Sequence, residues 1–464
     1  MNNQKKLILC ILITLSLLFN GCAKNEQSKE NNLSLIKEAL ANENTIIVDA
    51  RNDEEYNGWI IDKKIPQGHI KNSISFQPHL LDNLNENKQN ELLKKSYIHK
   101  DKQILIYSNY GEKSKKLIDR LNKLGYNNTL NFALLDLEKD KDLKEQLEFT
   151  YMKNYHLYVY PKWIKELLDN KNPDTYNSKD YVIIDTNYEK FEDYKKGHIP
   201  TALYMDTCKI ECPPLWNLVS PLEFEKLFKE IGITKDTLVI LTSDEPMASG
   251  RVAAAFMYAG VLDVRILNGG NQAWKSSNYE LEQGENKWTS KGKFLTTIPT
   301  HPEYNININQ AKQLLTNPNG RLTAVVSWNE YIGKDNGGYS YFDEKGRIPS
   351  SVFGYGGSDA YHSQDFLDSD WTMRSYEEIK DIWADWDINP QNEISFFCST
   401  GWRGGLAFFQ AYAMGFENIS VFDGGFYEWS RDPKNPINIG DPRIEFNKDK
   451  ANSELKYLNS VGSH

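Results

Sequence analysis

Short apolar runs, each closed by a polar turn, recur along this chain at three places and in one order. Ile46-Ile47-Val48-Asp49-Ala50-Arg51, Val182-Ile183-Ile184-Asp185-Thr186 and Ala324-Val325-Val326-Ser327-Trp328 each read as a buried strand running into a turn. Gly68-His69-Ile70, Gly197-His198-Ile199 and Gly346-Arg347-Ile348 follow them. A second apolar run comes next, over 104–107, 239–242 and 394–397. Each leads through a short polar loop into a helical stretch that ends on Leu124-Gly125, Ala259-Gly260 or Met414-Gly415. Counting 17 positions back from those glycines lands on Ser108, Ser243 and Cys398. One register in three places marks an internal repeat. Copies two and three also close alike, with Asn268-Gly269-Gly270 before Trp274 and Asp423-Gly424-Gly425 before Trp429; copy one has Asn131-Phe132-Ala133 there.

Buried strands alternating with helices predict an α/β fold of three related domains, each a mostly parallel sheet flanked by helices. The expected domains are residues 35–150, 158–280 and 298–435, with linkers near 148–158 and 280–300 and a C-terminal tail over 436–464. The third copy carries extra residues, including a Gly/Tyr/Ser/Asp-rich segment over 333–375. Long inserts of this kind are commonly functional or mobile.

The start of the chain stands apart from the repeat. Lys5 and Lys6 precede an apolar run over 7–19, and Asn20-Gly21-Cys22 follows. A basic start, a short apolar core and small residues read as a secretory signal over 1–22, and the run is short for a membrane span. It resembles a bacterial lipoprotein signal, with Phe19 where such signals usually carry leucine. That resemblance implies cleavage before Cys22, lipid on its thiol and a polar tether over 23–34. The expectation is an extracytoplasmic protein held at the cell membrane by that anchor; an ordinary cleaved signal or an uncleaved anchor is the alternative.

Composition narrows the partners. The 464 residues carry 54 basic against 64 acidic side chains, a net charge of −10, and no basic stripe stands out, which argues against a nucleic-acid partner. Of five cysteines, Cys10 and Cys22 belong to the signal. Cys208 and Cys212 are close enough in sequence for a disulfide in an oxidising compartment, and two unrelated thiols is the equal alternative. No metal site is expected, because two thiols fall short of four zinc ligands. Cys398 has no partner in sequence, and a lone cysteine in an exported chain invites a reactive role.

Cys398-Ser399-Thr400-Gly401-Trp402-Arg403 lies between a predicted strand and the start of a predicted helix. Unpaired amides and the helix dipole there favour a thiolate, the nucleophilic form. Gly401 permits a tight turn, and Arg403 offers a planar cation to an anionic substrate. A soft sulfur can hold a transferred sulfur atom as a persulfide; the hydroxyls of Ser108 and Ser243 cannot. Asp244 and Glu245 in the second loop would also repel an anion.

This arrangement resembles the rhodanese family across nearly all of 35–435: Asp after the first strand, Gly-His-Ile, a loop opened by the catalytic cysteine, and Gly-Gly before Trp. The resemblance implies a double-displacement sulfurtransferase in which Cys398 carries the sulfur. Ser399, Thr400, Gly401, Trp402 and Arg403 would bind substrate, and no metal or organic cofactor is required. Tandem members place an inactive domain before an active one, so copies two and three would be that pair and copy one an additional inactive domain. The implied partners are a small anionic sulfur donor and a thiol or cyanide acceptor. Thiosulfate is the preferred donor because of Arg403, while Ser399 and Thr400 are similar to members that use 3-mercaptopyruvate. A phosphatase loop would need five residues between Cys and Arg; here there are four, and Gly404 stands where that arginine would be. Copy three departs from the pattern at Ser327 and Trp328, read in place of Asp and Arg, and at Arg347, read in place of His. Arg347 is either a further anion-binding charge or a surface arginine, and Arg374 and His362 of the insert are further candidates. The rival readings are a non-enzymatic sulfur carrier or redox sensor, and a binding scaffold.

Overall fold

The computed structural model describes residues 34–290, 294 and 296–443. Cys10, Cys22 and the rest of the signal lie outside the described residues, as does the tail from 444. The chain forms two compact units, one reaching Tyr151 and one beginning at Met152.

The first unit is a parallel sheet in the order Ile74–Ser75, Thr45–Asp49, Gln103–Ser108, Thr129–Ala133. Its central strand is apolar on both faces, as a covered parallel strand must be. Ile104 and Ile106 pack with Leu117 and Leu121 of the helix Glu112–Lys123, while Leu105 and Tyr107 pack on the other side with Phe132 and Leu134. This alternation is the period-two rule of a strand.

The second unit holds two parallel sheets of five strands. One runs Tyr158–Val159, Asp263–Leu267, Leu238–Thr242, Tyr181–Asn187, Leu203–Asp206; the other runs Asn305–Ile306, Ile419–Phe422, Glu393–Phe397, Gly320–Ala324, Val352–Phe353. The strand Val352–Phe353 comes from the 333–375 insert, so part of that insert is built into the sheet. The helices Pro246–Ala259 and Trp402–Met414 are buried nearly all round, which fits their apolar sequences. They meet backbone to backbone. A Cβ at Gly250 would lie 2.5 Å from Leu406 Cα, and one at Gly405 would lie 2.9 Å from Arg251 Cα.

Strand pairing corrects one sequence reading. Asp49 lies opposite Tyr107, Asp185 opposite Thr242, and Ala324 opposite Phe397, the residues just before Ser108, Ser243 and Cys398. Ala324, not Ser327, therefore occupies the aspartate position, and Val326 stands where copy one has Arg51 and copy two Asn187. Ser327 belongs to the next element. It caps the helix Trp328–Tyr331 in a capping box with Glu330, as Asn52 does with Glu55 in copy one.

The Gly-His-Ile motif proves to be framework. His69 stacks on Tyr56 at 3.6 Å and His198 on Tyr194 at 3.9 Å. In copy three the Arg347 guanidinium takes that place, 5.4 Å from the centre of the Tyr331 ring. Each of the three tyrosine hydroxyls then donates to a backbone carbonyl at 2.7 Å, of Ser73, Ala202 and Ser351.

Candidate active site

Cys398 follows the strand Glu393–Phe397 and is 1% exposed. Gly401 caps the helix Trp402–Met414 at φ +92°, which aims its N–H back at the cysteine and donates to Sγ at 3.2 Å. That donor and the helix N-terminus stand where negative charge on sulfur needs them. A side chain at residue 401 is excluded twice, by the positive φ and by Arg251 Nη1, which would lie 2.7 Å from its Cβ. The Gly-Gly turn fastens the loop from behind. Phe426 N–H donates to the Cys398 carbonyl at 2.9 Å and Tyr427 N–H to that of Ser399 at 3.2 Å; a Cβ at Gly425 would sit 2.3 Å from the same Cys398 oxygen.

Arg403 is fully buried and its fork is taken. Nη2 donates to Glu330 Oε1 at 2.7 Å and Nη1 to Oε2 at 2.9 Å, the bidentate geometry of a strong ion pair. Nη1 also donates to the Asp359 carbonyl at 3.0 Å and Nη2 to the Tyr339 hydroxyl at 3.4 Å. Only Nε has no partner among the described residues. Burial opposes ionisation of Glu330, yet Arg403 beside it and the Ser327 backbone and side chain hold its carboxyl below the ordinary range. The cation expected for a substrate is thus neutralised by a carboxylate from the short helix Trp328–Tyr331. Glu330 went unread in the sequence; its one signal was the capping-box spacing from Ser327.

Ser399 and Thr400 are buried with the loop, and the Trp402 indole donates to Glu211 Oε1 at 2.5 Å. Arg347, 4% exposed, donates to the Gly440 carbonyl; a narrow recess is lined by this residue, Ser399, Glu330, Ala324, Val326 and Phe397. Its burial means that the surface-arginine expectation fails, and it shares the recess with Ser399 of the loop. His362 pairs with the Asp359 carboxylate at 2.7 Å, on the residue whose carbonyl holds Arg403, whereas Arg374 is turned to the Asp365 carbonyl at 3.1 Å. Cys208 and Cys212 are separate, exposed thiols rather than a disulfide.

Aromatic rings from the insert and the closing helix gather at the loop. Tyr339, Tyr341, Phe342 and Tyr427 form a chain of neighbours with ring centres 4.9 to 5.4 Å apart; Tyr339, Phe342 and Tyr427 share a core cluster with Cys398, and Tyr341 is exposed. Tyr361 adds a further face at 6.1 Å from Tyr339, and Trp216 of copy two reaches Tyr341 at 6.4 Å.

The serine copies fill the corresponding positions with polar groups. Ser108 Oγ accepts from Gly111 N–H at 3.1 Å and Ser114 N–H at 3.2 Å, filling the sulfur position with a hydroxyl. Beside it Asp49 and Arg51 make a buried ion pair at 2.6 Å. In copy two Asn187 and Asn271 both donate to Asp185, and Asn187 and Asn271 also hold Asp244 of the serine loop. Copy three replaces these networks with Ala324 and Val326 and leaves the recess.

Asp185 carries a pH signature. Burial pushes its carboxyl up to about 7, against the lowering hydrogen bond from Asn271. A folded-state value above the unfolded one means that the folded state binds the proton more tightly. That stabilisation is complete below about pH 4 and is lost as pH rises through about 7. Thermal unfolding at about pH 5 and about pH 8 should show the parent losing stability that Asp185→Asn does not lose. Parallel profiles for the two proteins would rule Asp185 out as the titrating group.

The model of the rhodanese-like domain matches residues 32–133, 160–277 and 307–432. The chain is 35% identical over 409 residues to the thiosulfate sulfurtransferase YnjE of Escherichia coli (strain K12), covering 88% of this chain and 92% of that one. It is 27% identical to the sulfur carrier protein TtuD of Thermus thermophilus over 53% of this chain and 87% of that protein. Among solved structures it is similar to EanB with a persulfide on its cysteine and ergothioneine bound, with a TM-score of 0.83, 33% identity, and 87% of this chain and 98% of that one covered. The anaerobic ergothioneine biosynthesis enzyme of Chlorobium limicola, in complex with its natural substrate trimethyl histidine, is similar at the same TM-score of 0.83 and 33% identity, over 88% of this chain and 98% of that one.

Proposed function

The chain belongs to the rhodanese family and is a rhodanese-type sulfurtransferase, and from that premise we propose that Cys398 is its sulfur-carrying nucleophile. The observation that carries this reading is the Cys398 sulfur beneath the Gly401 N–H at a helix start, where the other two copies place serine hydroxyls. With thiosulfate, the Cys398 thiolate attacks the outer sulfur, the donor's S–S bond breaks, and sulfite leaves with the electron pair. An acceptor thiolate or cyanide then attacks the terminal sulfur of the persulfide and returns the thiolate. The amides of Ser399, Thr400 and Gly401, the Trp402 face and the open Nε of Arg403 would hold the donor, while Arg347 would act from the recess.

Because Glu330 neutralises Arg403, the binding of an anionic donor rests on loop amides more than on a free cation. The aromatic chain at the loop favours a second acceptor class, a cationic one such as trimethyl histidine, since ring faces attract quaternary ammonium groups. EanB has been varied at a tyrosine 59 residues before its persulfide cysteine and at a threonine two after it; Tyr339 and Thr400 stand at those intervals from Cys398. The test is a panel with the purified protein. Thiosulfate and 3-mercaptopyruvate are compared as donors by sulfite or pyruvate release, and cyanide, a small thiol and trimethyl histidine as acceptors by product mass. Turnover with trimethyl histidine above the cyanide rate supports the cationic acceptor; turnover with cyanide and thiols alone returns the site to the simple rhodanese reading. A persulfide without turnover on any acceptor would place the chain with sulfur carriers.

We also propose that the chain is exported and tethered to the membrane through Cys22, on the strength of the basic, apolar, Gly-Cys start. Cell fractionation should find the parent with membranes and Cys22→Ala either released or unprocessed. A parent protein that is wholly soluble and trimmed past Cys22 contradicts the anchor.

A further inference from the structure

We propose that the second copy, whose own loop carries Ser243 in place of a cysteine, supplies two positioning residues, Glu211 and Arg251, to the Cys398 loop. The proposal rests on the reading of Cys398 as the sulfur carrier. Arg251 sits on the helix Pro246–Ala259 and Glu211 on the short strand Glu211–Cys212, both in copy two. Arg251 Nε donates to Glu211 Oε2 at 2.9 Å, and its Nη2 donates to Asp423 Oδ1 of copy three at 2.7 Å and to the Trp216 carbonyl at 3.0 Å. Glu211 Oε1 takes the Trp402 indole, and Asp423 Oδ2 takes the Leu218 N–H at 2.9 Å. All three charged side chains are buried.

The network ends on both sides of the cysteine. Trp402 follows Gly401, whose N–H faces Sγ, and the Arg251 guanidinium lies against Gly401 itself. Asp423 precedes the Gly424-Gly425 turn, whose Phe426 N–H holds the Cys398 carbonyl. One cation from the second copy therefore ties the front of the loop, through Glu211 and Trp402, to its back, through Asp423. Cohesion alone does not call for such a triad, because well-packed apolar side chains join two faces at least as well as buried ions. Ions and a directed indole hydrogen bond fix orientation, and nucleophilic attack is sensitive to small misplacements. Glu211 and Arg251 do not need to touch the donor, and a phenylalanine at 402 keeps the ring face, so these losses should appear in the rate of sulfur loading rather than in donor saturation.

The experiment uses the full-length protein and thiosulfate, or 3-mercaptopyruvate if only that loads the parent. Glu211→Gln keeps an acceptor for the indole but removes the charge, and Trp402→Phe keeps a ring but removes the donor. Single-turnover loading of Cys398, followed by intact mass over a range of donor concentrations, should slow roughly tenfold in each variant, about the effect of one lost hydrogen bond. Half-saturation should stay near that of the parent. The double variant should be no slower than the slower single one, because both changes cut one chain of bonds. Arg251→Lys should recover part of the loading lost in Arg251→Met; if Arg251→Met does not fold, the Glu211 and Trp402 pair still decides. Loading at the parent rate in folded Glu211→Gln and Trp402→Phe, or effects that multiply independently, would overturn the proposal. Failure of the parent to load Cys398 with either donor would instead sink the carrier reading beneath it.

Discussion

Cys398→Ser should lose sulfur loading and turnover completely while keeping its fold. The hydroxyl is barely ionised at neutral pH, and an oxygen–sulfur link does not stand in for a persulfide. Survival of the fold is expected because two serine copies already exist in this chain. Ser108 sits in the same loop position with Gly111 N–H donating to it at 3.1 Å, close to the 3.2 Å bond that Gly401 makes to the Cys398 sulfur. The oxygen is smaller than the sulfur it replaces, so stability should change by no more than about 1 kcal/mol. Urea unfolding and single-turnover loading on one preparation separate the two effects. A serine variant that retains turnover would place the chemistry elsewhere in the chain.

The next largest effect should follow from Glu330. Its carboxylate meets the whole fork of Arg403, both are buried, and the Gly337 backbone packs so closely that a Cβ there would come within 2.4 Å of the Glu330 carboxyl carbon. Glu330→Ala leaves the Arg403 cation buried without its counter-charge. Breaking a buried pair on one side destabilises by about 3–5 kcal/mol. The double variant Glu330→Met with Arg403→Met should recover much of that loss, because neither charge remains to be desolvated. Sulfur loading should fall in both, since the loop loses the ion pair that holds Arg403 beneath it. Denaturant unfolding of the single and double variants measures this directly. A Glu330→Ala protein within about 1 kcal/mol of the parent would show that the pair is weak.

Much of the fold was legible because the chain repeats itself. Two serines and a cysteine in one register located the three strand-loop-helix units, and periodicity alone predicted parallel sheets. The aspartate position of copy three was misplaced because its apolar run continues through Val325 and Val326, and only the pairing of Ala324 with Phe397 reveals which residue lies beside the loop. The contiguous loop from Cys398 to Arg403 was legible as well, but the state of its arginine was not. Glu330 lies 73 residues away, and an arginine next to a nucleophile reads the same whether its fork is empty or filled. Glu211 and Arg251 were beyond sequence reasoning for a related cause: they belong to a copy whose loop carries Ser243 in place of a cysteine, and their role depends on how two helices cross. Arg347 is no surface arginine, and the reason lay outside the sequence pattern: its position stacks on a tyrosine in all three copies.

The central claim is that one sulfur atom is carried on Cys398 of the third copy. The described chain has two other thiols. Both are exposed, yet partial desolvation of its sulfur together with the Asp206 carboxylate pushes the Cys208 thiol up to about 11, which favours its protonated form at neutral pH. The decisive measurement is to load the protein from the best donor of the panel, record its intact mass, and map the adduct by peptide sequencing after blocking free thiols. The account predicts the mass of one added sulfur atom, removable by cyanide, on the peptide that contains Cys398. An adduct on Cys208 or Cys212, or turnover with Cys398 unmodified at every time point, would contradict it.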